Sequence, residues 1–313
     1  FYYKKNFHVS GIDNLSRKGS YKNFLKLKKK GIKIFKGNLC NNDFLNNFFK
    51  KKDKFSDFIH CAAYTSVLDG TNVVSPKKLY ENNILSTLNS LELAKHFNSN
   101  FIYISSSRVY SVNALKSMNL KFKKIYKPVN NLNSTTKGGI NESFSTEPPL
   151  SLYGSSKIVS EKMIQEYCSL KKIPFVINRC GLLAGRGQLY KNDQGIISFW
   201  INSWKQNKNL HYIGFEGRGY QTRDCLHPND LATLISLQIK KIKKLKLSNR
   251  IFNVSGGSKS AFSLKELSHW CCKNIFVRKI NGTKKGRVFD AKWIVLDNSR
   301  VKKEFKWKLK YNK

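Results

Sequence analysis

Short runs rich in β-branched and aromatic residues alternate along this chain with longer stretches whose apolar positions recur every three or four residues. The runs at 7–12, 32–35, 58–61, 101–105, 175–178 and 251–254 predict strands. The stretches at 21–29, 43–50, 83–97, 156–170 and 229–240 predict helices. In the third of these, Ile84, Leu85, Leu88, Leu91 and Ala94 fall on one face at helical spacing. Strand and helix in strict alternation point to a parallel sheet with helices on its faces. Such sheets bind ligands at the carboxyl ends of their strands, so the informative residues should lie just after each run. Residues 115–149 are polar, rich in Asn, Ser and Thr, and predict a long loop or an inserted excursion. No internal repeat interrupts the pattern.

Composition changes this picture little. The chain has 313 residues, 40% hydrophobic and 13% aromatic, which is globular rather than disordered. No apolar run approaches the roughly 18 residues of a membrane span, and the start, FYYKK, lacks the core of a signal peptide. Lys and Arg number 58 against 19 acids. That excess raises the question of nucleic-acid or membrane-surface binding. The lysines are nevertheless spread along the chain, Arg is scarce, and no aromatic-interleaved basic module stands out. Compositional drift accounts for the charge better, although a polyanionic substrate would still be attracted. Seven cysteines without a CxxC pair give neither a disulfide framework nor a zinc site. They read as small core residues in a reducing compartment, with cytoplasm as the default, and no metal is expected.

Candidate chemistry follows the strands. Asp13 follows the first run; an acid there can accept hydrogen bonds from an adenosine ribose, though a turn or cap residue is the commoner use. Arg17 nearby leaves an opening for a 2′-phosphate. The small residues Cys61, Ala62 and Ala63 would let a dinucleotide approach the backbone, or simply close a tight strand end. After the run at 101–105 come Ser106, Ser107, Arg108, Val109 and Tyr110. Downstream, Tyr153 and Lys157 open a helix at i and i+4, on one face. A lysine there lowers the phenol pKa, so that a tyrosinate can take a proton from a sugar hydroxyl. A serine after the adjacent strand can bond the same hydroxyl. The glycine-containing run at 181–187 opens no convincing helix and is read as a loop. His227 reads as a helix cap rather than an acid–base group. Trp200, Trp204, Trp270 and Trp307 read as core.

Taken together, DNLSRKG at 13–19, Asn83 at its helix start, SSSRVY at 105–110, YGSSK at 153–157 and RDCLHPNDL at 223–231 resemble extended short-chain dehydrogenases that act on nucleotide sugars. The resemblance runs over nearly the whole chain. YKNDQG at 190–195, FNVSGG at 252–257 and the Trp-containing tail are similar to the CDP-paratose 2-epimerase branch. The fold it implies is α/β: a Rossmann-like doubly wound parallel sheet, lacking its first strand and glycine loop, with a smaller C-terminal substrate domain. Residues 1–178, with 220–256 returning, would form the NAD-binding part, and 179–219 with 257–313 the substrate part.

The mechanism implied is hydride transfer through tightly held NAD. Ser106, Tyr153 and Lys157 would be catalytic. Asp13, Asn14, Asn38, Leu39, Cys61, Ala62, Ala63 and Asn83 would bind cofactor together with Tyr153 and Lys157. Ser107, Arg108, Asp193, Gln194, Arg223 and Arg287 would bind substrate, the last two arginines at its diphosphate. Without the resemblance, Arg223 reads as an ion-pair partner of Asp224 or Asp230.

The chain departs from the family at several places. The family's GxxGxxG loop would precede Phe1, with roughly 20 residues absent on the usual size of a strand–loop–helix start, and relatives continue beyond the stretch after Trp307. Asn38 stands where an Asp facing adenine is common, and Leu152 replaces a common Pro. Related dehydratases carry Asp-Glu where this chain has Ser107 and Arg108, so epimerisation is implied, at C2 or else at C4. The partners expected are a nucleotide sugar (a CDP-sugar by the closer markers) and a second copy of the chain, pairing through the helices at 83–97 and 156–170. Nucleic acid and membrane are not expected. The rivals are a non-catalytic, basic Rossmann-like RNA-binding protein and an inactive fragment lacking its phosphate loop.

Overall fold

The computed structural model describes residues 7–65, 75–129, 134–191 and 194–311. From the amino end, β1 (Ser10–Asp13), α1 (Ser20–Lys28), β2 (Lys33–Lys36), α2 (Asn42–Phe49) and β3 (Asp57–His60) alternate. Next, α3 (Pro76–Tyr80) runs through a π turn, Glu81–Leu85, into α4 (Ser86–His96), followed by β4 (Asn100–Ser106). The stretch expected to be a long loop or an inserted excursion is an excursion that holds α5 (Val112–Lys116) and two small hairpins. These are β5 (Leu120–Phe122) with β6 (Tyr126–Pro128), and β7 (Thr135–Thr136) with β8 (Gly139–Ile140). Strands of two or three residues are too short to show a period, which is why the sequence gives no sign of them.

The long helix α6 (Leu152–Leu170) leads to β9 (Phe175–Cys180), β10 (Leu182–Leu183), α7 (Ile196–Lys205) and β11 (His211–Ile213). The chain closes with β12 (Thr222–Leu226), α8 (Pro228–Lys241), β13 (Ile251–Val254), β14 (Ala261–Ser263), α9 (Leu264–Asn274), β15 (Asn281–Thr283), β16 (Trp293–Ile294) and α10 (Ser299–Phe305).

The main sheet is parallel, in the order β13-β9-β4-β3. Both of its faces are covered. Phe101, Tyr103 and Ile177 point to Leu91, Ala94 and Ile164 of α4 and α6. Ile102, Val176, Phe252 and Val254 point to Leu234 and Ile235 of α8 and to Val301 and Phe305 of α10. A strand apolar on both sides is the mark of a doubly wound sheet. β1 and β2 pair in parallel with each other, and among the described residues no ladder joins them to β3. The sheet expected to be continuous is therefore in two parts.

A smaller sheet sits beside the carboxyl edge of the main one. There β12 pairs in parallel with β10 and β16, and antiparallel with β14. β12 thus leaves the main sheet, whereas α10 packs against it, and both depart from the expected domain boundaries. Trp200 and Trp204 are buried with Tyr212 and Cys271 in this second unit, and Trp307 is buried against the main one. Trp270 is 48% exposed, contrary to its expected place in the core. No helix among the described residues is long and apolar enough to cross a membrane.

Candidate active site

Register brings the carboxyl ends of the central strands level: Ser106 of β4 lies opposite Cys180 of β9, and Cys180 opposite Val254 of β13. Between that edge and the smaller sheet lies a cavity of about 860 Å³. It is lined by Ser106, Ser107, Arg108, Tyr153, Lys157, Gln194, Arg223 and Arg287 from the expected set, with Cys61 and Ala63 at the end of β3.

Tyr153 stands in the first turn of α6, whose start is fixed by Ser151: its hydroxyl accepts from the Gly154 N–H at 3.0 Å. Gly154 matters for a second reason. A Cβ there would come within 2.2 Å of the Arg108 carbonyl oxygen, so only glycine lets α6 press backbone-to-backbone on the turn after β4. That contact puts the Tyr153 phenol in hydrogen-bonding reach of Ser106. Ser106 Oγ in turn accepts from the Arg108 N–H at 3.2 Å, leaving its own hydrogen free to donate.

Lys157 is 2% exposed, donates from Nζ to the Ile104 carbonyl at 3.0 Å and lies 4.5 Å from the Tyr103 ring centre. Its charge acts on Tyr153 through space. Burial, the largest influence, raises the phenol pKa; Lys157 and the Ser106 hydrogen bond pull it down without cancelling that rise. The net effect is the reverse of the simple lowering expected from the sequence, because burial destabilises the phenolate more than one ammonium restores it.

The far wall is cationic. Arg223 Nη2 bonds Asp290 Oδ1 at 2.5 Å and the Ala291 carbonyl at 2.8 Å, so its carboxylate partner is neither Asp224 nor Asp230. Asp224 is buried, accepts from the Leu296 N–H at 2.8 Å, and burial pushes its pKa up to about 6. His227 caps α8, its Nδ1 accepting from the Asn229 N–H at 3.2 Å, as the sequence predicts.

Asp13, Asn14, Asn38, Leu39, Ala62 and Asn83 are not among the residues that line the cavity, whereas Arg17 is. Asp13, Asn14 and Asn38 are exposed at strand ends, and each side chain accepts from the N–H two residues on, at 2.7, 3.1 and 3.0 Å. Leu39 is core, packed with Leu45, Phe48 and Leu93. Ala62 is exposed. Asn83 is buried, and its amide bonds both the Tyr64 backbone and Ser156 Oγ, which ties the π turn to α6. Arg17 donates to the Leu189 carbonyl at 2.7 Å, and with Asn23 bonding the Gly187 carbonyl it joins the amino-terminal unit to the loop after β10. Asp193 lies outside the described residues.

Behind the site is a feature that sequence reasoning missed. Glu161 and Arg179 form a buried ion pair at 2.7 Å, and Ser105 Oγ donates to Glu161 at 2.5 Å. The pair locks α6 to β4 and β9 just below Ser106. Its sequence signal was present: Glu161 follows Lys157 by one helical turn, on the face that carries Tyr153.

Residues 2–255 match the family model described as NAD dependent epimerase/dehydratase family. The chain is 28% identical over 247 residues to dTDP-D-glucose 4,6-dehydratase of Dictyostelium discoideum, covering 73% of this chain and 51% of that protein. It is 28% identical over 264 residues to CDP-paratose 2-epimerase of Salmonella typhi, covering 82% and 74%. Among solved structures it superposes on Pal from Bacillus thuringiensis with a TM-score of 0.78 at 22% identity, over 99% of this chain and 88% of that one. Thermus thermophilus UDP-glucose 4-epimerase in complex with NAD gives a TM-score of 0.76 at 18% identity over the same shares. On a family match that takes in most of its length, and on a fold shared end to end, this chain belongs to the NAD-dependent epimerase/dehydratase family.

Proposed function

We propose that this chain carries the machinery of an NAD-dependent nucleotide-sugar epimerase that inverts C2 of a CDP-linked deoxyhexose through a transient keto-sugar. The observation that carries the reading is the convergence of Ser106, Tyr153 and Lys157 on a cavity whose far wall holds Arg223 and Arg287. Tyr153 takes the proton of the reacting hydroxyl and returns it to the keto oxygen after the sugar has turned over. Ser106 donates to the same oxygen, and Lys157 holds positive charge near the phenol. NAD supplies the hydride acceptor and donor, and its positively charged ring adds to the pull on Tyr153.

Cys61, Ala63 and Lys157 fit the nicotinamide end of the cofactor. Asp13, Asn14, Asn38, Leu39, Ala62 and Asn83 belong to the strand ends and the helix that border its remainder. Arg223 and Arg287 suit the two phosphates, since guanidinium binds phosphate oxygens bidentately. Ser107, Arg108 and Gln194 border the sugar, with Asp193 in the same polar loop. No acid stands at 107 or 108 to expel water, which favours epimerisation over dehydration. The name of the Salmonella relative supports C2 and a CDP-sugar. The UDP-glucose 4-epimerase of Erwinia amylovora, 30% identical over 71% of this chain, supports C4 as the second reading. Exposed Leu85, Leu88, Val159 and Leu170 on the neighbouring helices suit a homodimer.

The test is proton NMR of a CDP-linked deoxyhexose incubated with the protein and NAD. Inversion at C2 is expected. Inversion at C4 alone overturns the C2 assignment, and a sugar left unchanged overturns the epimerase reading.

A further inference from the structure

We infer that the outer edge of the main sheet carries a second anion-binding site, suited to a phosphate monoester the size of a small sugar phosphate. The inference stands apart from the epimerase reading, since the site shares no lining residue with the cavity that holds Tyr153.

β13 is the last strand of the main sheet, and a pocket of about 310 Å³ opens beside it. That volume is at the small end of the pockets that take metabolite-sized ligands. Arg179 of β9, Arg250 just before β13 and Arg300 of α10 line it, together with Gln165 of α6 and Glu142. Arginine is scarce in this chain, ten of its 58 basic residues. Three of those ten line this small pocket, and no lysine does. A drift that spreads lysine over the surface does not produce such a concentration. Guanidinium is the side chain that meets phosphate oxygens in a fixed fork, which a lysine cannot replace.

Each guanidinium is held in place by its own side of the fold. Arg250 lies 5.2 Å from the Phe175 ring centre and donates to the Phe175 and Leu245 carbonyls at 2.8 and 2.7 Å. Arg300 lies 5.4 Å from the Phe252 ring centre and donates from Nε to Asn249 Oδ1 at 2.9 Å. Its Nη2 bonds the same oxygen, which leaves both Nη1 hydrogens without a protein acceptor among the described residues. Arg179 is neutralised by Glu161 behind it, at 2.7 Å. Arg250 and Arg300 have no carboxylate within ion-pair distance among the described residues. Glu142 is the one acid on the wall; its Oε1 accepts from the Asn253 N–H at 2.9 Å, and at longer range it offsets Arg300. Arg250 is left without a counter-charge, a costly state that a bound anion would relieve. A phosphate monoester presents oxygens on several sides and can accept from two arginines at once, whereas a carboxylate is matched by a single fork. Gln165 spends its amide N–H on the Glu161 carbonyl at 3.1 Å. Its oxygen and Glu142 remain as acceptors for the hydroxyls of the esterified sugar.

The experiment is calorimetric titration of the full chain with inorganic phosphate at constant ionic strength, with acetate as the comparison anion. Phosphate can also enter the main cavity at Arg287, so the titration is run in the wild type, R287Q and R287Q/R300Q. R287Q should still bind phosphate. Adding R300Q should weaken that remaining binding about tenfold or more, the usual effect of losing a hydrogen bond to a charged group. The Gln side chain keeps an N–H for Asn249, so folding should hold. If R287Q/R300Q does not fold, R287Q/R250K decides in its place: the ammonium keeps the charge and a donor for the carbonyls but loses the fork, and the same weakening is expected. No phosphate binding by R287Q, or equal binding by R287Q and the folded double variant, would overturn the site. Acetate bound as tightly as phosphate would overturn its assignment to a phosphate monoester. None of these outcomes depends on whether a sugar is epimerised.

Discussion

Helices α6 and α1 each belong to a parallel strand–helix–strand repeat, yet they are held in opposite ways. Eight of the 19 residues of α6 are buried, including the polar Ser156, Lys157, Ser160 and Glu161, and each of these four has a partner inside the fold. None of the nine residues of α1 is buried; Tyr21, Leu25 and Leu27 lie open, and basic residues fill its last turn. The two walls of the cleft therefore differ in kind. The wall that carries Ser106, Tyr153 and Lys157 is fixed by an ion pair and a backbone contact that tolerate no slack. The other meets the loop after β10 through Arg17 and Asn23, each donating to a carbonyl. On the proposed function, precision is concentrated where a proton would move over a short distance, and a wall that only has to cradle a ligand needs less of it.

The sharpest way to break this comparison is Y153F, which takes one oxygen from the rigid wall. Turnover should fall about 10²–10⁴-fold, the usual contribution of a positioned acid–base group. Urea denaturation should show folding little changed, and a variant that keeps full turnover would remove Tyr153 from the mechanism.

Next in size is E161A. It strands Arg179, 6% exposed, without its carboxylate, and should cost about 3–5 kcal/mol of stability. If urea unfolding shows less than about 1 kcal/mol, the value of an exposed pair, the buried pair does not hold the catalytic wall.

Acid sharpens the comparison further, because two buried groups respond in opposite directions. His60 lies in the core with its ring nitrogens on Ser90 and Thr87, and burial lowers its pKa to about 3. The unfolded chain binds the extra proton, so stability falls as pH drops from 6.5 towards 3. For Asp224, raised to about 6, the folded chain binds the proton first, and stability is regained between pH 6 and 4. The wild type should therefore gain on D224N as pH falls through that window, by about 3 kcal/mol for a shift of this size. A constant difference between the two across pH 4–7 would place the Asp224 carboxyl in contact with water.

The smallest effect belongs to α1. L25A should change stability by no more than about 0.5 kcal/mol, as for surface positions generally. L91A on α4, where Leu91 is wholly buried, should cost about 2–5 kcal/mol. Equal losses would mean that the exposed side of α1 is covered in solution.

Local signals were read well from the chain. The six runs each contain a strand of the parallel pair or the main sheet, shifted by up to three residues at their ends. The i, i+4 pair of Tyr153 and Lys157 sits on one buried helical face, and His227 caps α8. Other features had no local signal. Arg223 finds Asp290 across 67 residues, and Arg108 finds the Phe289 carbonyl across 181. The small sheet is assembled from strands of two to five residues drawn from four separate stretches. Trp270 gives no hint in sequence that its side of α9 faces outward.

The sequence by itself determined the parallel α/β architecture and the order in which Ser106, Tyr153 and Lys157, the proposed catalytic trio, appear. Periodicity and i, i+4 spacing are properties of a few neighbouring residues, and a helix or strand preserves them whatever surrounds it. Only the tertiary structure decided that burial, not Lys157 alone, governs the Tyr153 proton. It also decided that Arg108 reaches the Phe289 carbonyl across the cavity wall, and that β1 and β2 pair apart from the main sheet. Desolvation and charge–charge coupling depend on every atom within several ångströms, and those atoms are brought together from the whole length of the chain.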